Sequence, residues 1–549
     1  MVLLGNINAI PFRRRFGGGS GVPFPYIPGM IARYSGAGLT NEDMSTNPVW
    51  KDLTGNGYDL QMKNFGWAGM SGVNGYVENF NQWFVGFDES NKTVSDSSMK
   101  LVLLESDSQK VIYDKTAHQI GYTYNFYIKV TGIEGRTLNV NAGTLGGTIM
   151  SITEDGIYSI NATVSDSWGN NMLYLIFPPS SSSNTVTIDQ LPLYPGALVF
   201  DGVDDYGVCD NFPILTKEKG YTVVALRSII DKNIPGYLLS NSADSNQGAF
   251  IFERTIDSLT ASFGKSSPIT VNYNNPLTYQ TTSKYNQKSI SVGELLEGGK
   301  SLVVGRNSKE GNLYANAAIW ELVFLDHDAT EEELTKIKDY FIKTYPWLFP
   351  DQAWTVTGKT NEDADRATIA NITGNGNDLV LSNFGFVEGS GYNEEGEYAG
   401  YLVTDGVDDK IQSKRFLLHR NWTMVGDWRF MPPEKNTNSG IVKSPAIRLY
   451  NQLSNIAIYI NRTTNPKSIS GRSIKAVCSD GRIYLDDWSE FLDTELQTDF
   501  DNNAVISIGN YGVNFTKIIF KNLSFYDNQL LSKDDCIKAY NYLQTLKAK

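Results

Sequence analysis

The stretch DLTGNGYDL, Asp52–Leu60, returns later in the chain as NITGNGNDL, Asn371–Leu379. Gly and Asn are poor formers of helix and strand, so a repeat this rich in them marks a turn that the fold uses twice. Asn-Gly between strand-like residues predicts a tight type I′ reversal, because that turn wants positive φ at both central positions. The Asp that follows, Asp59 or Asp378, is placed to tie the turn down through its carboxylate.

The agreement extends well past the turn. TNEDMSTNPVWKDLTGNGYDLQMKNFGWAGMSG (Thr40–Gly72) lies over TNEDADRATIANITGNGNDLVLSNFGFVEGSG (Thr360–Gly391), and LVFDGVDDYGV (Leu198–Val208) over YLVTDGVDDKI (Tyr401–Ile411). The alternating patterns KGYTVVALRSI (Lys219–Ile229) and RNWTMVGDWRF (Arg420–Phe430) predict equivalent strands. Each copy closes with paired strands leading into one amphipathic helix. Thr330 with Glu333, and Ser532 with Asp535, sit where a cap and its acidic partner belong, the second being the weaker box. Leu334, Ile337 and Phe341 share one helical face, as do Ile537, Tyr540 and Leu543. Two copies of one domain follow.

The spacing from Asp52 to Asp201 far exceeds that from Asn371 to Asp405, so the first copy carries an extra segment. Its strand-like runs, YTYNFYIKVTG, RTLNVNAG, GIYSINATVSD, NMLYLIF and NTVTIDQLPLYPG, predict a small β-sandwich inserted in a loop. The expected division is an extended arm (1–28), a discontinuous first domain (29–77 and 196–349), an inserted domain (78–195) and a second copy (350–549).

Composition agrees with an all-β protein. Gly 50, Tyr 30 and Phe 26 in 549 residues supply strands and turns, and the length suits about three domains. The net charge of −13 argues against binding nucleic acid through the body of the protein. Cys209, Cys478 and Cys536 have no metal-ligand spacing and are expected as buried thiols. No window approaches the roughly 20 apolar residues of a membrane helix, and the N-terminus has the wrong order of charge and apolar residues for a signal peptide. A soluble chain without membrane insertion is expected.

At the GNGxDL and DGVDD turns the chain resembles the laminin-G-like, concanavalin-A-like jelly-roll superfamily. The insert, ending VTIDQLPLYPG, is similar to jelly-roll carbohydrate-binding modules. The whole arrangement, with NFGWAGMSG and LYPGALVFDGVDDYG, resembles virion fibre or decoration proteins of Bacteroides and its crAss-like phages. The resemblance implies two laminin-G-like sandwiches, a head-attached fibre or decoration on the virion surface, contact with host-surface or mucus glycans, and a dimer or trimer. A tail or collar fibre, and a purely structural decoration, are the other placements it leaves open.

Three kinds of site follow. Asp59, Asp201, Asp204 and Asp205 in the first copy, and Asp378, Asp405, Asp408 and Asp409 in the second, could supply oxygen ligands to calcium. They could equally be turn carboxylates bonded to their own backbone. Calcium is the one candidate ion, and no cofactor is required. Trp67, Trp83, Trp168 and Tyr206 lie in Gly/Asn-rich surroundings and could stack on sugar rings, or pack cores. In the arm, Phe12, Arg13, Arg14, Arg15 and Phe16 ahead of a Gly-rich swivel suggest an anchor to capsid or tail proteins. No E-x-D-x-x-E string occurs, Glu490–Glu495 has the wrong period for one strand face, and His118, His327 and His419 have no motif around them. A chain that is not an enzyme is the expectation.

Overall fold

The computed structural model describes residues 22–548 except 66–77, 145–146, 214, 216–219, 241–249, 257, 264–268, 271–273, 290–300, 395–397, 415, 431–438, 444–446, 453–454, 461–466, 471–473, 486–487, 493–502, 505–506, 509, 512–513 and 516. The fold is all-β. Its named strands pair antiparallel, and the described helices are α1 Asn41–Thr46, α2 Glu331–Thr344 and α3 Lys533–Thr545.

The repeat read in the sequence is a repeat of sheet order. Asn316–Leu325 is a central strand flanked by Met30–Ser35 and Thr222–Ile229. Ile518–Asp527 is likewise flanked by Gln352–Thr355 and Trp422–Phe430. Even the irregularity recurs, because the register shifts between Leu226 and Arg227 and again between Asp427 and Trp428. A bulge kept at one place in two copies re-aims the strand beyond it by design of the fold.

All of Asn316–Leu325 is buried, which explains its apolar run on both faces. Ile319, Leu322 and Phe324 enter a core shared with Leu60, Met62, Leu302 and Val304 of the facing sheet. Trp320, Val323 and Leu325 point the other way, into a cluster with Ile337 and Phe341 of α2. Ile537, Tyr540 and Leu543 of α3 belong to that same cluster, so the two copies share apolar packing. Thr330 and Glu333 close a full capping box on α2, whereas Ser532 accepts from the Asp535 amide without the reciprocal bond.

The strands between Trp83 and Leu191 form two five-stranded sheets whose partners all lie within that segment. One core, including Phe80, Trp83, Phe126, Leu175 and Ile188, fills the space between them. The five predicted strands are present, and the shorter strands Trp83–Val85, Lys92–Val94, Ser98–Leu103, Lys110–Asp114 and Thr148–Ile152 complete the sheets. Where this segment begins and ends, the Glu78 amide donates to Gln190 Oε1 at 2.8 Å and the Gln190 amide returns a bond to the Glu78 carbonyl at 2.6 Å.

The GNG turns correct the type I′ expectation. Gly55, Gly57, Gly374 and Gly376 carry the positive φ, and the central Asn56 and Asn375 do not. Each turn instead docks on the first strand region of its copy. Asn56 Nδ2 donates to the Ile31 carbonyl at 2.8 Å, and Asn375 Nδ2 to the Asp351 carbonyl at 2.8 Å. The carboxylate tie is present in both, since Asp59 accepts from the Asp52 amide at 2.9 Å and Asp378 from the Asn371 amide at 2.8 Å.

Candidate functional site

Alternation along Trp83–Val85 separates core from surface. Trp83 faces inward and is 3% exposed, while Phe84 is 41% exposed on the outer face of the sheet. Phe84 pairs across with Tyr113, and Tyr113 with Tyr174. Their rings stack with centroids 4.8 Å and 5.1 Å apart, each pair inclined by 28°. That spacing is the distance between neighbouring strands, so the rings stand up from the sheet like plates in a rack. Such a row uses up its internal faces and leaves one free face at each end: Phe84 at the sheet edge, and Tyr174 toward Leu138–Ala142.

The Tyr174 end is the chemically equipped one. The residue opposite on the next strand is Asn141, too short to cover the ring, and its Oδ1 is buried with no hydrogen-bond partner among the described residues. Asn170 Nδ2 donates to the Tyr174 hydroxyl. One row further, Ser151 donates to Asn139 Oδ1 at 2.8 Å. An upright aromatic face beside unbranched amides and a hydroxyl suits a flat ligand with an apolar face and a hydroxylated rim.

Two of the aromatic expectations are corrected by burial. Trp83 and Trp168 are core residues of the insert, and Trp168 lies parallel to Tyr124 at 6.0 Å. An indole sealed between two sheets has no face to offer a ligand. Trp67 lies outside the described residues, as do Phe12, Arg13, Arg14, Arg15 and Phe16. Tyr206 is half-buried, and its ring is covered by the Arg306 guanidinium at 3.5 Å. The aromatics that do form a surface, Phe84, Tyr113 and Tyr174, were legible only by tracking strand parity from Trp83.

The DGVDD turns bring three carboxylates together in each copy: Asp201, Asp204 and Asp205, then Asp405, Asp408 and Asp409. Asp59 and Asp378 stand apart from them. Asp59 is held by Lys51 at 2.6 Å and by the Asp52 amide, and Asp378 by the Asn371 amide, which removes both from the ligand pool. Within each cluster the first Asp accepts from the amides two and three residues on, with Val203 and Val407 at 2.7 Å. The last Asp accepts from the amide of the first, at 3.2 Å and 2.7 Å.

The copies then diverge. Asp205 Oδ1 and Asp204 Oδ1 are buried without a partner among the described residues, whereas Asp409 Oδ1 receives the Ser390 hydroxyl at 3.1 Å. Burial, then the neighbouring Asp201, pushes the Asp205 carboxyl up to about 8; burial raises Asp409 to about 6. Two buried carboxylate oxygens lacking donors are what a hard cation would satisfy, so the first cluster fits calcium better than the second.

No family model matches the chain, and no curated protein does. Among solved structures, a sialidase of Trypanosoma rangeli in complex with sialic acid aligns over 84% of this chain and 96% of its own, at 10% identity and a TM-score of 0.27. A structure described as the receptor binding domain aligns over 60% and 90%, at 14% identity and a TM-score of 0.24. One of botulinum neurotoxin type C, concerned with two ganglioside molecules, covers the same shares at 12% identity and a TM-score of 0.24. The expectation that the chain is not an enzyme is corrected here: the first of these structures are sialidases, so enzymes cannot be set aside as a class. Likeness at these TM-scores assigns this chain neither a reaction nor a substrate.

Proposed function

We propose that the chain is a glycan-binding surface protein whose insert carries a sugar site at the free face of Tyr174. The single observation behind this reading is the aromatic row ending beside the unpartnered Asn141 carbonyl oxygen. A pyranose ring presents C–H groups on one face and hydroxyls around its rim. The ring face of Tyr174 takes the first, and Asn141 and Asn170 take the second. Neutral oligosaccharides are the class that needs no charge in the site.

The first-copy turn is assigned calcium, held by Asp201, Asp204 and Asp205, as a brace for the loop and not as part of the sugar contact. Display on a virion, as a head-attached fibre or decoration anchored by the arm, rests on the sequence resemblance of the two copies and the insert. A homo-oligomer would multiply weak sugar sites into avidity.

Calorimetric titration of the full chain with a panel of neutral oligosaccharides tests the sugar site. Tyr174→Ala is expected to weaken binding about tenfold, the equivalent of ~1.4 kcal/mol, with a small drop in melting temperature from the lost stack on Tyr113. Binding indifferent to Tyr174→Ala sinks the assignment.

A further inference from the structure

The guanidinium of Arg306 is the most unusual charge outside the sites above. The residue is 6% exposed, and its Nε is buried without an acceptor. Among the described residues its side chain makes no hydrogen bond or ion pair; its contacts are with two rings. Tyr206 lies 3.5 Å from the guanidinium carbon and Tyr314 lies 5.8 Å from it, with the rings 6.3 Å apart. Local backbone fixes this arrangement. Arg306 and Tyr314 face each other across an antiparallel bridge, and the Ala315 amide bonds the Gly305 carbonyl at 2.8 Å. Tyr206 arrives from the adjoining strand, where Gly207 pairs with Val304.

The neighbouring charges do not complete the arginine. Lys309 is engaged with Asp210 at 2.8 Å. Asp205, next to Tyr206, spends its second oxygen on the Asp201 amide. A cation removed from water without an anionic partner is costly, and folds retain one where a ligand supplies the partner. Tyr206 covers one face of the guanidinium and Tyr314 lies to its side, which leaves the edge that carries the terminal nitrogens for a ligand. A planar group with two acceptor oxygens meets that edge in a two-point bond, as a carboxylate does.

We propose that Arg306, Tyr206 and Tyr314 form a carboxylate-recognition site for an acidic sugar. Arg306 binds the carboxylate, Tyr206 stacks on its guanidinium, and Tyr314 flanks the pair. That the carboxylate arrives on a sugar rests on the glycan-binding reading above. The second copy lacks the site, because Lys410 stands in the place of Tyr206 and Asn510 in the place of Arg306.

The test is calorimetry on the full chain with two matched pairs: oligogalacturonate against its carboxyl-reduced form, and sialyllactose against lactose. Wild type is expected to prefer at least one acidic member about tenfold or more. Arg306→Lys keeps charge but loses the two-point bond, and Arg306→Met loses both. Each should abolish the preference. Ligand-free Arg306→Met should melt no lower than wild type, since it removes an unpaired buried charge, and this shows that its fold is sound. A preference that survives in Arg306→Met overturns the proposal. Neutral binding without any acidic preference overturns this site alone, whereas no binding of either member sinks the glycan reading along with it.

Discussion

In the first copy the buried carboxyl of Asp205 keeps one oxygen without a donor among the described residues; in the second, the equivalent carboxyl of Asp409 is met by the Ser390 hydroxyl. The sequence of the turn is the same, and so are its internal bonds from Asp201 or Asp405 to the next amides. The difference comes from what approaches from elsewhere. A hydroxyl closes the second cluster, whereas among the described residues none reaches Asp205 Oδ1 in the first. The charge beyond the turn differs too, since Tyr206 under Arg306 gives way to Lys410. Identical motifs therefore do not imply identical sites, even inside one chain.

The largest effect should come from calcium. At a hundredfold excess over its dissociation constant, an ion bound to the native state alone stabilises by about 2.7 kcal/mol. Melting of the full chain should rise in calcium for wild type and Asp409→Asn, and fail to rise for Asp205→Asn. A rise lost equally in both variants would erase the distinction between the copies.

Ser390→Ala should come next, at about 1–3 kcal/mol, because it orphans Asp409 Oδ1 as Asp205 Oδ1 is orphaned. It also removes the acceptor of the Gly385 amide, at 2.9 Å. Urea unfolding measures the loss, and an unchanged midpoint would show that the hydroxyl is incidental.

The subtlest test is the dependence on pH. Both carboxyls are raised by burial, Asp205 to about 8 and Asp409 to about 6, from an ordinary value near 3.8. A raised carboxyl contributes stability that is fully present below its ordinary value and lost as pH rises through the folded one. Without calcium, Asp205→Asn should flatten the decline in melting temperature between pH ~4 and ~8, and Asp409→Asn only that between ~4 and ~6. Calcium affinity should climb with pH across the first window, since the ion needs the proton gone. Superimposable profiles would end the comparison.

The architecture was readable because it rests on local pattern. Alternation, caps and repeated turns account for the sandwiches and the helices. The turn type departs from the Asn-Gly signal because the loop is longer than a two-residue reversal and its side-chain amides pin it to backbone carbonyls at Ile31 and Asp351. The outward ring is Phe84, one position from Trp83, because alternation along the strand turns the larger indole into the core. The Ser390 donor and the Tyr206–Arg306–Tyr314 stack were beyond reach for a different reason. They join residues far apart in sequence, and only the sheet register brings them together.

The paired amide bonds between Glu78 and Gln190 bring the two ends of the inserted sandwich to one spot. A segment that departs and returns at the same point is topologically a bead on a closed loop, whose removal requires no rethreading of its host. The second copy, with the same turns and no such segment, is the host as it stands without the bead. Recombination could exchange one bead for another, changing what the protein grips while the scaffold that presents it stays as it was.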